Sequence, residues 1–236
     1  MKYVSPRQVI FPGDLIATAD EAVEGAVYLD EGKYRASSVG LVEFRENKIV
    51  VVPLEGSYKP KPGDIVVGYV TDVLAAGWEV DIRAPLPAWL PVGEATAKYI
   101  DLERTSLTTL LNVGDAVIAV VKSIDLTDEF PVMLTLREGE RLGKIESGFV
   151  VEISPVKVPR VIGKKGTMIS TISELGCEII VGQNGRIWAK CPSHDAELTL
   201  LQILAKIDRE SHVAGLTDRV RALVERYKSG AGSGSA

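Results

Sequence analysis

Apolar and polar residues alternate in short runs through the first 140 residues, which is typical of β-strands rather than of helices. Within residues 1–56, glycine, asparagine and charged residues separate these runs, and strands are predicted within 9–14, 25–29, 39–44 and 49–53. The pattern indicates a small N-terminal β domain. Two prolines in the connector at residues 55–62 mark its end.

The next segment contains about five strand-like runs between residues 61 and 137, which is the strand number of an OB-type barrel. Two of these strands follow similar turns, Pro62-Gly63-Asp64 and Val113-Gly114-Asp115, and the N-terminal domain opens on Pro12-Gly13-Asp14. Gly-Asp suits tight turns in any β protein, so the repeated turns alone do not identify the fold. The spacing of the strands favours a barrel over residues 57–140.

The last third of the chain changes to a mixed pattern of strands and helices. A strand is predicted at 149–153, a helix at 155–162 that begins at a proline, and a second helix at 167–175 that ends at Gly176. A hairpin with strands at 177–181 and 186–190 follows. The next helix, for which Ser193 is the predicted N-cap, has apolar residues at helical spacing: Leu200, Ile203, Leu204 and Ile207.

One further helix is predicted from Thr217 within residues 213–228, and its apolar stripe must dock on another surface. The stripe consists of Val220, Leu223, Val224 and Tyr227. The tail at residues 229–236 is a flexible Gly/Ser-rich segment that we exclude from functional reasoning.

The two cysteines of the chain, Cys177 and Cys191, fall on the two arms of the predicted hairpin. If Asn184-Gly185 forms a two-residue loop, Cys191 lies opposite Glu178, and Cys177 belongs to the other face. We therefore expect free thiols, which suits a reducing compartment. No segment has the length of a membrane helix and the N-terminus lacks a signal-peptide core, so we expect a cytoplasmic protein without a membrane partner.

A basic turn, Gly163-Lys164-Lys165-Gly166, interrupts the apolar pattern between the first two helices of the last third. The glycines would let a sugar-phosphate strand approach the backbone, and the lysines would meet phosphate oxygens beside a helix N-terminus. Such a turn also occurs in surface loops without function. The turn lies within the predicted order strand-helix-turn-helix-strand-strand-helix. This order resembles the KH domain in its β-α-α-β-β-α form. The resemblance implies that the turn clamps about four nucleotides of single-stranded RNA.

Local charge agrees with this interpretation although the whole chain carries a net charge of −5. Residues 155–190 contain six basic and two acidic side chains, so the remaining chain carries −9. Because binding depends on the local field, an acidic total does not exclude nucleic acid. The candidate contacts in this segment, besides the four residues of the turn, are Arg160, Arg186 and Lys190.

The segment at residues 63–81 resembles the opening strands of an S1 domain, the OB-type RNA-binding module, with Gly68, Gly77 and Val80 in family-like places. The chain departs from S1 domains at Glu79 and Pro91, where they commonly carry an aromatic residue and a histidine. Tyr69, Trp78 and Trp89 are candidates for stacking on bases, with core packing as the alternative. The net charge of this region is −6, so phosphate contacts must be few. Candidates are Lys98, Arg104, Lys122 and Arg137, each of which is otherwise a solvated surface charge.

The complete order, an N-terminal β domain (1–56), an S1-like barrel (57–140) and a KH domain (147–212), resembles the RNA-binding cap subunits of the archaeal exosome. The resemblance implies a non-catalytic protein that binds single-stranded RNA. It also implies a homotrimeric cap, or a mixed cap with a related subunit, anchored by the N-terminal domain on a ring of RNase-PH-like subunits. Phosphorolysis would then take place in that ring.

The chain itself offers little for catalysis, with two histidines and no C-x-x-C pair, so we expect no metal and no cofactor. Asp125, Asp128 and Glu129 are better explained as a solvated turn than as a Mg²⁺-dependent nuclease site. The alternatives are an autonomous S1/KH RNA-binding protein of transcription or translation and a purely structural subunit. An autonomous binder should be basic across both modules, which favours the cap.

Overall fold

The computed structural model describes residues 1–45, 47–96, 106–139, 141–210 and 215–231. The chain divides into two units, Met1–Gly56 and Ser57–Ala236. The strands of the first unit are β1 (Val9–Ile10), β2 (Leu15–Thr18), β3 (Val23–Gly25), β4 (Val27–Asp30), β5 (Lys33–Ala36), β6 (Gly40–Arg45) and β7 (Lys48–Pro53). They form two sheets, with strand orders β1-β6-β7-β3 and β2-β5-β4. The core includes Ile10, Ile16, Val42, Ile49 and Val51, all fully buried, so the predicted small β domain is confirmed.

A barrel opens the second unit. Its elements are β8 (Ile65–Leu74), β9 (Gly77–Asp81), β10 (Ala88–Pro91), the short helix α1 (Val92–Ala95), β11 (Ala116–Ile124), β12 (Val132–Thr135) and the edge strand β13 (Gly143–Lys144). Strand β12 pairs in parallel with β10 and antiparallel with β11, which closes the order β8-β9-β10-β12-β11 into a five-stranded barrel. Apolar side chains from alternate positions fill its interior, among them Trp78, Leu90 and Leu134.

The KH region follows the predicted order. Its elements are β14 (Phe149–Glu152), α2 (Val158–Ile162), α3 (Thr167–Ser173), β15 (Glu178–Val181), β16 (Arg186–Lys190) and α4 (His194–Glu210), followed by α5 (Leu216–Ala231). The sheet has the order β14-β16-β15, and one core cluster joins it to α2, α3, α4 and α5. The Oγ of Ser193 accepts a 3.2 Å hydrogen bond from the N–H of Ala196 and caps α4, as predicted. Val220 and Val224 of α5 are buried in this core.

The β15–β16 hairpin has a different register from the predicted one. Val181 pairs with Ile187 and Glu178 pairs with Lys190. The N–H of Gly185 bonds the carbonyl of Gly182 at 3.1 Å and its φ is +81°, which is a three-residue loop of the type I plus G1-bulge class. The predicted two-residue loop is therefore wrong by one residue.

This one-residue shift also corrects the prediction for the cysteines. A slip of one residue moves side chains to the other face of a ribbon, and the observed register places Cys177 directly opposite Cys191. The structure joins them in a disulfide, with the Cα atoms 4.1 Å apart. The expectation of two free thiols is wrong.

The hairpin loop connects the KH region to the barrel. The side chain of Asn184 is fully buried, and its Nδ2 donates hydrogen bonds to the carbonyls of Val67 (2.7 Å) and Ile82 (3.0 Å). Its Oδ1 accepts a 3.3 Å bond from the N–H of Val67. Trp188 and Ile118 add an apolar contact. These contacts join the KH region to the barrel.

Candidate nucleic-acid interface

The basic turn between α2 and α3 has a backbone that only its glycines can adopt without strain. Gly163 ends α2 with φ +75° and ψ 170°, and Gly166 precedes α3 with φ +78°. A Cβ on Gly163 would lie 2.6 Å from the amide nitrogen of Met168, so any larger residue would displace the start of α3. Lys165 also has a positive φ of 54°, an uncommon conformation for a lysine.

Both lysines of the turn are exposed to solvent. Among the described residues, neither Lys164 nor Lys165 has a carboxylate within ion-pair distance, in contrast to most other lysines of the KH region. Val161 and Met168 are buried on either side and anchor the turn to the core. The turn therefore presents two unneutralised cations on a fixed backbone. Because α3 has only seven residues, we attribute no anion binding to its N-terminus.

Arg160 lies exposed on α2, one helical turn before Gly163, and has no acidic partner in the described part of the chain. Lys190 is exposed at the end of β16, with Glu178 as its cross-strand neighbour. Ile162 and Ile169 are partly buried, and Ile162 packs against the KH core. The structure thus groups Arg160 with the basic turn.

Arg186 is not available to RNA, and we correct its place among the candidate contacts. Its side chain is buried, donates to Glu152 Oε1 at 2.8 Å and to Asp81 Oδ2 at 2.6 Å, and lies over the ring of Tyr69. Burial alone would lower the pKa of this guanidinium, but the two carboxylates raise it above its usual range. The residue joins the KH sheet to the barrel.

The candidate phosphate contacts on the barrel are less accessible to RNA than the basic turn is. Lys122 forms a 2.6 Å ion pair with Glu94, and Arg137 donates to the carbonyl of Gly93 at 3.1 Å, so both converge on α1. The pKa of Glu94 lies below its usual value, first because of the hydrogen bond from Lys122. Lys98 and Arg104 lie outside the described residues.

Two of the three aromatic candidates for base stacking have structural roles in the fold. Trp78 is fully buried and its indole N–H donates to the carbonyl of Leu111 at 2.9 Å, while Tyr69 lies beneath Arg186. Trp89 differs, because it is partly exposed and stacks on Phe130 with ring centroids 5.3 Å apart.

The acidic loop between β11 and β12 has the geometry of a turn. Asp125 Oδ1 accepts hydrogen bonds from the N–H and the hydroxyl of Thr127, and the hydroxyl is the main cause of a pKa below the usual value. A general acid at neutral pH would need a raised pKa. In the described part of the chain, His, Cys, Asp and Glu do not group into a possible metal site. None of the helices there has the length and apolar character needed to span a bilayer.

Comparison with known proteins gives the same order of domains. Family models match for the N-terminal domain of the exosome RNA-binding protein Rrp4 over residues 7–55, the Rrp4 S1 domain over 57–123 and a KH domain over 148–195. The exosome complex component Rrp4 of Pyrobaculum aerophilum is 66% identical over 97% of this chain and 97% of its own length. This chain belongs to the Rrp4 family.

Other relatives agree with this assignment. Rrp4 of Methanopyrus kandleri is 42% identical over 95% of this chain and 96% of its own length. A crystal structure assigned to an exosome complex RNA-binding protein has a TM-score of 0.67 and 38% identity, and covers 74% of this chain and 98% of that one. The predicted fold class is confirmed. Membership of the Rrp4 family also confirms the predicted role of a non-catalytic, RNA-binding exosome subunit.

Sequence reasoning missed Asn184 as the residue that fixes the KH region on the barrel. An Asn-Gly pair indicates a turn, and nothing local shows that its amide bonds strand β8. Phe130, the partner of Trp89, was also missed, since it stands alone in an acidic loop.

Proposed function

We propose that this chain forms a trimeric cap, or a mixed cap with a related subunit, on a hexameric ring of RNase-PH-like subunits. The cap captures single-stranded RNA and feeds its 3′ end into the ring, where 3′-to-5′ phosphorolysis takes place on residues of the ring. The names of the relatives as exosome complex components support this assembly. The chain supplies binding and orientation and no chemical step.

One observation carries the RNA-binding part of the proposal. The turn Gly163-Lys164-Lys165-Gly166 exposes two lysines that have no acidic neighbour within ion-pair distance among the described residues. An unpaired exposed lysine can neutralise a phosphate and release a counterion condensed on the RNA, whereas a paired lysine must first lose its carboxylate. The glycines let the RNA backbone approach the turn closely.

The proposed contacts follow from the availability of each side chain. The main contacts are Gly163, Lys164, Lys165 and Gly166, with Arg160 and Lys190 as flanking cations. Lys122 and Arg137 are secondary contacts, since each already has a protein partner. Lys98 and Arg104 are retained as proposed contacts on the basis of the sequence alone. Arg186 is no longer included. Binding by one chain should be weak, and three copies around a pore would add avidity.

We propose the N-terminal domain, residues 1–56, as the anchor on the ring, because it is acidic and carries exposed apolar side chains. These include Phe11 and Leu29, each more than half exposed. The S1 domain would span 57–140 and the KH domain 147–212. We also propose a cytoplasmic location. Disulfides are rare in most intracellular proteins but are common in those of hyperthermophilic archaea, so the Cys177–Cys191 disulfide fits this location in such a host.

Native mass spectrometry of the full chain mixed with a purified RNase-PH-like hexamer tests the assembly. The proposal predicts a complex of one hexamer with three cap subunits, which persists without RNA. A chain that stays separate from the ring at all ratios would contradict it.

A further inference from the structure

The hairpin loop that joins the KH region to the barrel contains an Asn-Gly pair, Asn184-Gly185, the dipeptide most prone to deamidation. Asparagine is among the thermolabile residues of proteins. In an open chain, the backbone nitrogen of the following residue attacks the side-chain amide, and a glycine leaves this attack unhindered because it has no side chain. A chemically labile pair therefore lies in the contact that holds two parts of the molecule together.

The junction between this loop and the barrel, formed by Asn184 with Val67 and Ile82, requires both residues of the pair. Of the side chains of its length, only asparagine offers two N–H donors and a carbonyl acceptor, and all three are used on backbone groups of the barrel. Gly185 has a φ of +81°, and a Cβ there would lie 2.5 Å from the carbonyl oxygen of Ile153. The lability of the pair is thus a consequence of the residues that the fold needs here.

In the folded chain, both reacting groups are bonded to other partners. The N–H of Gly185, which contains the attacking nitrogen, donates a 3.1 Å hydrogen bond to the carbonyl of Gly182. The side chain of Asn184 is fully buried, and its oxygen and nitrogen are both bonded to the barrel. The attack requires this side chain to leave the barrel and fold back onto its own backbone in contact with water. The reaction consequently requires a local opening of the junction.

We infer that Asn184 is a modification site, which the closed junction protects and which deamidates when the hairpin leaves the barrel. In the open state, a hydroxide ion removes the proton from the nitrogen of Gly185, and this nitrogen attacks Cγ of Asn184. A bond forms between these two atoms, the bond from Cγ to Nδ2 breaks, and ammonia leaves with a proton taken from water. Water then opens the succinimide ring at one of its two carbonyls, which gives aspartate or isoaspartate.

The product does not restore the contact. An ionised carboxylate has no N–H donor, and it would face the carbonyl oxygens of Val67 and Ile82 as an unpaired buried charge. Arg186 on the same hairpin is already paired with two carboxylates. Isoaspartate adds one carbon to the backbone of the loop, which changes the path of the hairpin. Deamidation therefore converts a transient opening of the junction into a permanent loss of the contact.

The test follows deamidation of the full chain in mildly alkaline buffer by peptide mapping and mass spectrometry, which detect the gain of one mass unit and the isoaspartyl product. The same chain unfolded in guanidinium chloride gives the rate of the open loop. We expect Asn184 in the folded chain to react at least about thirtyfold more slowly, because opening leaves buried backbone groups unpaired. Asn112 is the internal control and should stay largely unmodified, since the branched side chain of Val113 hinders the attack.

Two variants separate opening of the junction from general loosening of the KH region. Asp81→Ala removes a carboxylate that holds Arg186, so the junction should open more often and deamidation of Asn184 should be about two- to tenfold faster. Glu174→Ala is the matched control, because it removes an ion pair with Lys228 between α3 and α5. This control should leave the deamidation rate of Asn184 unchanged.

Three results would overturn the inference. Deamidation of the folded chain at the rate of the unfolded chain would show that the junction does not protect Asn184. Equal rates in the wild type and in Asp81→Ala would show that the reaction does not depend on opening of the junction. Hydrogen exchange of the Val67 N–H should be faster in the deamidated chain than in the unmodified chain, and unchanged exchange would show that the product keeps the contact.

Discussion

The side-chain amide of Asn184 donates a 2.7 Å hydrogen bond to the carbonyl oxygen of Val67, which lies 117 residues earlier in the chain. With the bonds to Ile82 and to the N–H of Val67, one buried side chain satisfies three backbone groups of the barrel. The KH hairpin is thus fixed to the barrel by a residue whose local sequence indicates only a turn. The basic turn belongs to the region that these bonds join to the barrel.

Replacing Asn184 should destabilise this contact. Asn184→Ala leaves buried backbone groups of Val67 and Ile82 without a partner, and we expect a loss of about 2–3 kcal/mol in the free energy of unfolding. Urea-induced unfolding of the full chain measures it. Gln183→Ala is the matched control, because this neighbour contacts the barrel through its backbone N–H, which bonds Ile65 at 2.8 Å. Equal stability of the two variants would contradict the role of Asn184.

The basic turn should account for the salt dependence of RNA binding. Lys164→Gln with Lys165→Gln removes two cations, so the slope of log affinity against log salt should decrease by about 1.4, or 0.7 for each lost phosphate contact. Filter binding over a salt series measures the slope. Lys33→Gln, an exposed lysine of the N-terminal domain, is the control. An unchanged slope in the double variant would show that the turn does not bind phosphates.

The free energy of unfolding should decrease in acid because the carboxyl of Asp81 becomes protonated. Burial alone would raise the pKa of this carboxyl, but hydrogen bonds from Arg186 and from the N–H of Arg83 outweigh it, and the folded-state pKa lies below the usual value. The stabilisation is therefore complete above about pH 4, the unfolded-state value, and is lost as the pH falls through the lower folded-state pKa. Asp81→Asn should be less stable than the wild type at pH 7, and this difference should shrink towards pH 3. Thermal melts at several pH values test this, and a constant difference would contradict it.

The disulfide should stabilise the KH region. Cys177 and Cys191 are 14 residues apart, and closing a loop of this size contributes about 3 kcal/mol in the chain-entropy model. Cys177→Ser with Cys191→Ser should lower the melting temperature of the full chain, and dithiothreitol should lower that of the wild type but not of the variant. Intact-mass analysis after alkylation under non-reducing conditions should find no accessible thiol. Two alkylated cysteines in the untreated protein would contradict the observed pairing.

Sequence patterns predicted the fold class and the order of the elements because these depend on local periodicity. The apolar residues from Leu200 to Ile207 recur at helical spacing, and the predicted α4 core positions are all buried. The hairpin register failed for a physical reason. Asn184-Gly185 suits a two-residue loop, but the tertiary bonds of Asn184 and the positive φ of Gly185 select a three-residue loop, and the cysteine prediction failed with it.

The sequence predicted only part of the candidate RNA-binding site, because local sequence determines the surroundings of some side chains and tertiary structure determines those of others. Lys164 and Lys165 lie between glycines in one turn, so their local sequence defines their exposure. Arg186 is part of the same basic segment, but its partner Asp81 is 105 residues away and belongs to another domain. Whether a cation is free or paired depends on the tertiary structure, which charge counts along the chain do not reveal.

The most direct test of the central claim is the degradation of single-stranded RNA in phosphate buffer by an RNase-PH-like hexamer, with and without this chain, and by this chain alone. We predict that the chain alone leaves RNA intact, binds the ring and increases the amount of RNA captured and degraded at low RNA concentration. Cleavage by the chain alone would contradict the non-catalytic role. RNA binding without any association with the ring would contradict the cap.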